Sequence, residues 1–79
     1  MKIELDLFAS FKKYLPEKRL GEPYFLEIDN GTTVKELLDK LSVPSNTPKI
    51  IFVNGRVNKE GTILKEGDRA GIFPQVAGG

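Results

Sequence analysis

The chemistry open to this 79-residue chain is limited first by what it lacks, for it contains no cysteine, no histidine and no tryptophan. A thiol nucleophile, a Ser-His-Asp triad, a Cys/His zinc site and a disulfide framework are all excluded, so no metal ligand set is expected. Carboxylates and amines remain. Glu4 and Asp6 stand two apart, Asp39 stands alone, and Glu66 and Asp68 flank Gly67. An isolated carboxylate without a cleft or a partner has no cause to shift its pKa, and each of these reads as solvated charge or turn former. None fits the spacing of a calcium loop. Lys12, Lys13, Lys18 and Arg19 form a basic cluster that reads either as a wet helix face or as a docking patch for an acidic surface.

The end of the chain offers a different kind of chemistry. The residues Phe73-Pro74-Gln75-Val76-Ala77-Gly78-Gly79 finish in two glycines. One reading is a fraying terminus. The other is a thread: without side chains, Gly78 and Gly79 make the narrowest strand a polypeptide can offer to another protein's active site. The terminal carboxylate of Gly79 is then unhindered. Once activated, for example by adenylation with ATP, its carbon is open to a sulfur or nitrogen nucleophile. The main chain would supply the reactive group, with Gly78, Ala77 and Val76 threading it.

These residues need a scaffold, and the hydrophobic periodicity describes one. Ile3, Leu5 and Leu7 alternate with Lys2, Glu4 and Asp6, the two-residue period of a half-buried strand. Phe8, Phe11 and Leu15 recur at helical spacing until Pro16, predicting one or two helical turns. Residues 17–23 read as a loop, and Tyr24 to Asp29 as a second strand with Tyr24, Leu26 and Ile28 on one face. Thr33 and Glu36 form a capping box ahead of the Val34, Leu37, Leu38, Leu41 stripe, predicting a helix that ends near Ser42. Ile50 to Val53 is continuously apolar, as in a strand inside a sheet. Asn54-Gly55 then predicts a tight hairpin with Arg56 to Asn58 as its return strand. After a turn-rich stretch anchored by Ile63 and Leu64, Glu66-Gly67-Asp68 leads into a last strand, Arg69 to Phe73. Pro74 has no N–H to donate, so regular pairing is expected to stop there. If Ala70 and Ile72 face the core, Phe73 points the other way. With Val57 it would form either a partner-binding patch that includes Pro74, or the cap of a small second core.

The order β, short helix, β, helix, β, β, β describes an α+β fold of the β-grasp kind, with one mixed sheet and one main helix packed across it. Residues 1–74 form a single domain and 75–79 an exposed tail. Twelve basic against eleven acidic side chains leave a net charge of +1, too even for a dedicated nucleic-acid binder. The apolar runs fall far short of the roughly 20 residues that span a bilayer, and no secretory leader is evident, so the expected location is the cytoplasm.

The sequence resembles the MoaD/ThiS family of small sulfur carriers, and within it the small-subunit branch of the molybdopterin synthases. The likeness spans essentially all 79 residues. It rests on Phe73-Pro74-Gln75-Val76-Ala77-Gly78-Gly79 above all, then on Val53-Asn54-Gly55, Leu64-Lys65-Glu66-Gly67-Asp68 and Thr33-Val34-Lys35-Glu36-Leu37-Leu38. The resemblance implies a ubiquitin-like domain that is not an enzyme on its own. Its Gly79 carboxylate would be adenylated by a MoeB-like E1 enzyme using ATP and converted to a thiocarboxylate, the sulfur coming ultimately from a persulfide on a sulfurtransferase. The loaded tail would enter a MoaE-like large subunit, in a heterotetramer, and give its sulfur to cyclic pyranopterin monophosphate in molybdenum or tungsten cofactor synthesis. Phe73 and Val57 resemble the family's docking patch, and no cofactor is implied on the carrier. Gln75, where a second proline is usual, and Lys12 and Lys13, where an arginine and an acidic residue are frequent, depart from the pattern. A ubiquitin-like modifier and a carrier for thiamin or thiolated tRNA would share the same terminal glycine. A plain β-grasp binding module would not need it.

Overall fold

The computed structural model describes residues 1–15 and 24–75. Five strands form one sheet: β1 (Lys2–Leu7), β2 (Tyr24–Glu27), β3 (Lys49–Val53), β4 (Arg56–Asn58) and β5 (Arg69–Pro74). Their spatial order is β2-β1-β5-β3-β4. The β1–β5 pair is parallel, with Leu5 opposite Ala70 and Leu7 opposite Ile72, and the other pairs are antiparallel. A parallel pair requires a crossover connection. Here the chain between β1 and β5 contains the helix α1 (Val34–Lys40), which covers one face of the sheet.

Alternation decides which side chains meet α1. Ile3, Leu5 and Leu7 of β1, Ala70 and Ile72 of β5, and Ile51 and Val53 of β3 project to the inner face. There they join Val34, Leu37 and Leu38 of α1, with Phe11, Ile28, Val43 and Leu64, in one buried cluster. Helix α1 has only seven residues, too few to persist alone, and its ends are tied down accordingly. Thr33 Oγ1 accepts from the Glu36 N–H (3.2 Å) while Glu36 Oε1 accepts from the Thr33 N–H (3.0 Å), completing the capping box. The next free donors, Val34 N and Lys35 N, reach the carbonyls of Thr62 and Glu60. Lys35 also donates to Asp39 one turn on (3.0 Å), which raises its pKa above 10.5. At the other end Ser42 takes φ 66 and Val43 N donates to Leu38 O, the left-handed closure that satisfies the last carbonyls. This order, sheet pairing and helix placement make the fold a ubiquitin-like β-grasp.

Four expectations from the sequence change in detail. The first helix is a 3-10 helix over Ala9–Tyr14, and Phe8 lies outside it in extended conformation, because Ala9 at φ 53 turns the chain between them. Strand β2 ends at Glu27, although Ile28 keeps a bond from its N–H to Met1 O (2.8 Å) and remains buried. Ile63 is 57% exposed, so Leu64 alone anchors its segment, and Ile63 is held by backbone pairing with Thr33. Strand β5 includes Pro74, which pairs with Lys49. Donors alternate sides along a strand, and the side on which Pro74 lacks one is that of β1, which has already ended at Leu7. Gln75 N, on the β3 side, still donates to Pro48 O (3.1 Å).

Candidate functional site

The inner face is filled, and the side chains left over are those of the alternate register. Phe73 lies opposite Ile50, Gly71 opposite Phe52, and Phe52 opposite Val57, so Phe73, Ile50, Phe52 and Val57 all emerge on the outer face. Phe8 reaches the same face from the end of β1: its ring stacks on Phe73 with centroids 4.1 Å apart and planes 2° from parallel. Phe52 meets Phe73 edge-on at 5.4 Å and an interplanar angle of 80°. A Cβ at Gly71 would lie 3.5 Å from the Phe8 ring, in ordinary contact with the stack. Such aromatic contacts contribute about 0.5–1.5 kcal/mol each beyond the area they bury.

Phe73 therefore takes the outward direction that the alternation requires, and is half-buried by its neighbours once there. Val57 stands two strands away and is 70% exposed, joined to Phe73 through the Phe52 ring between them. The continuous apolar run Ile50–Val53 is explained by this arrangement. Only Ile51 and Val53 belong to the core, while Ile50 and Phe52 belong to the patch. Phe8 and Phe52 are patch residues that the sequence reading passed over. Phe8 stands at helical spacing from Phe11 and Leu15, and the two-residue period of β3 is hidden because both of its faces carry apolar residues.

The outer face of the neighbouring strands differs in kind. Lys2, Glu4 and Asp6 of β1 and Glu27 of β2 project there, and Arg69 Nε pairs with Glu4 Oε2 at 2.9 Å. Phe25, 50% exposed, lies among them with Lys2 Nζ 5.1 Å from its ring centre. The apolar patch thus borders a charged field with both signs present. Of the basic cluster noted in the sequence, Lys12 and Lys13 sit exposed in the last turn of the 3-10 helix, while Lys18 and Arg19 lie outside the described residues.

Pro74 closes β5 at the edge of the patch, and Gln75 is pinned to Pro48 beside an open groove of about 610 Å³ whose lining includes Thr47, Lys49, Asn58 and Lys59. Val76, Ala77, Gly78 and Gly79 lie outside the described residues. Among the described residues no three His, Cys, Asp or Glu side chains come together, and no helix is long and apolar enough to cross a membrane.

Two of the motifs noted in the sequence also meet. Asn54 Nδ2 donates to Asp68 Oδ1 (2.9 Å), Arg69 N donates to Asn54 Oδ1 (2.9 Å), and Lys65 N donates to Asp68 Oδ2 (2.8 Å). The β3–β4 turn and the 65–68 turn are one hydrogen-bonded unit, and it steadies the hairpin that presents Val57.

A search of the curated proteins finds no match. Solved structures similar to the chain include the HVO 2177 protein of Haloferax volcanii, with 27% identity and a TM-score of 0.76 over 100% of this chain and 87% of that one. A second is found in the complex of subunits 1 and 2 of the molybdopterin-converting factor of Helicobacter pylori, with 25% identity and a TM-score of 0.60 over 100% of both chains. The small archaeal modifier protein 1 of H. volcanii shares the fold at 21% identity and a TM-score of 0.70, over 95% of this chain and 98% of that one. The family model described as the ThiS family matches residues 8–79, nearly the whole sequence and all of the apolar outer patch from Phe8 to Phe73, and the chain belongs to that family of small sulfur-carrier and ubiquitin-like proteins.

Proposed function

We propose that this chain is the sulfur carrier of a two-component molybdopterin synthase, its small subunit, with the Gly79 carboxylate as the group that is loaded. The observation that carries the reading is the continuity of patch and tail. Phe73 anchors the outer aromatic cluster, and the chain runs directly from it through Pro74 and the pinned Gln75 toward Gly79. Four residues beyond Gln75 reach at most about 14 Å, so a partner seated on the patch has Gly79 within its own active-site depth. The molybdopterin-converting factor of H. pylori, whose subunits 1 and 2 form a complex, supports a large-subunit partner of the MoaE kind.

The chemistry follows from the carboxylate. One Gly79 oxygen attacks the α-phosphorus of ATP within a MoeB-like enzyme and pyrophosphate leaves. The outer sulfur of a sulfurtransferase persulfide then attacks the carbonyl carbon and expels AMP, giving an acyl disulfide, and a second thiol on the enzyme cleaves that disulfide, releasing the thiocarboxylate and itself ending in a disulfide. Val76, Ala77 and Gly78 keep the thread narrow enough to pass into the partner, while Phe73, Pro74 and Val57 dock the body of the domain. The carrier itself contributes no catalytic side chain, and ATP is a substrate of the activating enzyme.

The test is intact-mass measurement after incubation with an E1-like enzyme, ATP and a sulfur donor, followed by addition of a large subunit and cyclic pyranopterin monophosphate. The expected result is the mass gain of one oxygen replaced by sulfur, discharged when the pterin is added. No gain with any activating enzyme overturns the carrier reading. A gain discharged only onto protein lysines, giving isopeptide conjugates, assigns the chain to the modifier class instead.

A further inference from the structure

Asn54 and Gly55 occupy the two central positions of the β3–β4 turn, at φ 53 and φ 82. An Asn-Gly pair is open to a specific self-reaction, since glycine has no Cβ to obstruct its own nitrogen. The Gly55 nitrogen attacks Asn54 Cγ, a C–N bond forms, and the side-chain nitrogen leaves as ammonia with the proton released from Gly55. Water then opens the resulting succinimide at one of its two carbonyls, giving aspartate or isoaspartate at position 54. No oxidant or reductant is involved.

Asn54 is exposed, so solvent for this reaction is at hand. What the structure adds is restraint on the amide. Its oxygen accepts from Arg69 N and its nitrogen donates to Asp68 Oδ1, both at 2.9 Å, while Asn54 N is itself bonded to Arg69 O at 2.8 Å. Asp68 is held in turn by the Lys65 N–H. To bring Cγ onto the Gly55 nitrogen the side chain has to abandon both bonds.

We propose that Asn54 is a latent deamidation site and that Asp68 is the residue that holds it unreacted. Conversion also undoes the contacts that held the turn. An aspartate at 54 has no donor for Asp68 and sets one carboxylate against another where a hydrogen bond had been, and like charges so placed repel. An isoaspartate adds a backbone atom inside a hairpin whose register, Val53 opposite Arg56, leaves no room for it. Either product loosens the strand that carries Val57.

The experiment follows deamidation by peptide mapping in the full chain, held in mildly alkaline buffer below its melting temperature. Asp68→Ala is expected to react about tenfold faster at Asn54 than the unsubstituted chain, the factor set by one lost hydrogen bond of ordinary net strength. Asp68→Asn has one acceptor oxygen for the two donors that Asp68 serves, so it keeps the Asn54 bond only by giving up that of Lys65 N–H, and it is expected to react at a rate between the other two. Equal rates for Asp68→Ala and the unsubstituted chain overturn the proposal, as does an Asp68→Asn rate matching that of Asp68→Ala. Should Asp68→Ala not fold, the unsubstituted chain in urea supplies the comparison: it is expected to react at least about tenfold faster than when folded. Equality there overturns the proposal too.

Discussion

The two faces of the sheet are built from alternate residues of the same strands, and they meet opposite fates. On the inner face Ile3, Leu5, Ala70 and Ile72 are each no more than 1% exposed beneath α1. On the outer face Phe8, Phe52 and Phe73 cover one another only by half, and Val57 remains 70% exposed. An apolar side chain buried by its own chain stabilises the fold, whereas one left open beside others marks a surface meant to be covered from outside. The outer face is also divided, with charge on β1, on β2 around the exposed Phe25 and at Arg69 where β5 begins, and apolar residues on β3, β4 and the end of β5. On the proposed function, stability belongs to one face of this domain and recognition to part of the other.

That division can be broken by substitutions on either side. Leu5→Ala, at 0% exposure, removes packing that nothing can refill and is expected to cost about 2–5 kcal/mol in urea unfolding, a large share of a small domain's stability. Phe73→Ala loses the Phe8 stack and the Phe52 edge contact from a half-buried site, and an intermediate loss of about 2 kcal/mol is expected. On the proposed function it should also weaken binding to both the activating enzyme and the large subunit. Val57→Asp is the sharper probe. Its stability should fall by about 1 kcal/mol or less, the span of strand preference at an exposed site, while calorimetry shows at least a tenfold loss of partner affinity. If Val57→Asp unfolds the domain as Leu5→Ala does, or leaves both affinities intact, the two faces are not specialised in this way.

The inner face was legible in the sequence because each of its signals is local. The alternation of Ile3, Leu5 and Leu7, the Thr33–Glu36 box and the Asn54-Gly55 turn are all read within a few residues, and each is found in the fold. The outer patch was only half legible. Val57 and Phe73 could be named, but Phe8 belongs with them through Ala9, whose positive φ no pattern of apolar residues announces. Phe52 belongs through a register shared by three strands, and register depends on partners far along the chain. The extension of β5 through Pro74 was missed for a similar reason: a missing donor matters only if a neighbouring strand is there to receive it.

The smallest expected effect sharpens the comparison through the cover of the inner face. Glu36 accepts from the Thr33 backbone N–H and from the Thr33 hydroxyl, and these bonds, the backbone one first, hold its pKa below the ordinary 4.5. A carboxylate whose folded pKa lies below its unfolded one binds fewer protons in the folded state. Its contribution is therefore complete above pH 4.5 and is lost as pH falls through the lower folded value. Glu36→Gln keeps an oxygen acceptor for the Thr33 N–H but cannot titrate. The stability advantage of the unsubstituted chain over this variant should be constant above pH 4.5 and shrink below it, read from urea midpoints across an acid series. Because Glu36 caps α1 and touches nothing on the outer face, the difference between the two chains in partner affinity should not change across that range. Parallel stability curves would mean that the capping box does not tie α1 to the sheet through ionised Glu36, and a pH-dependent difference in affinity would mean that the two faces are coupled.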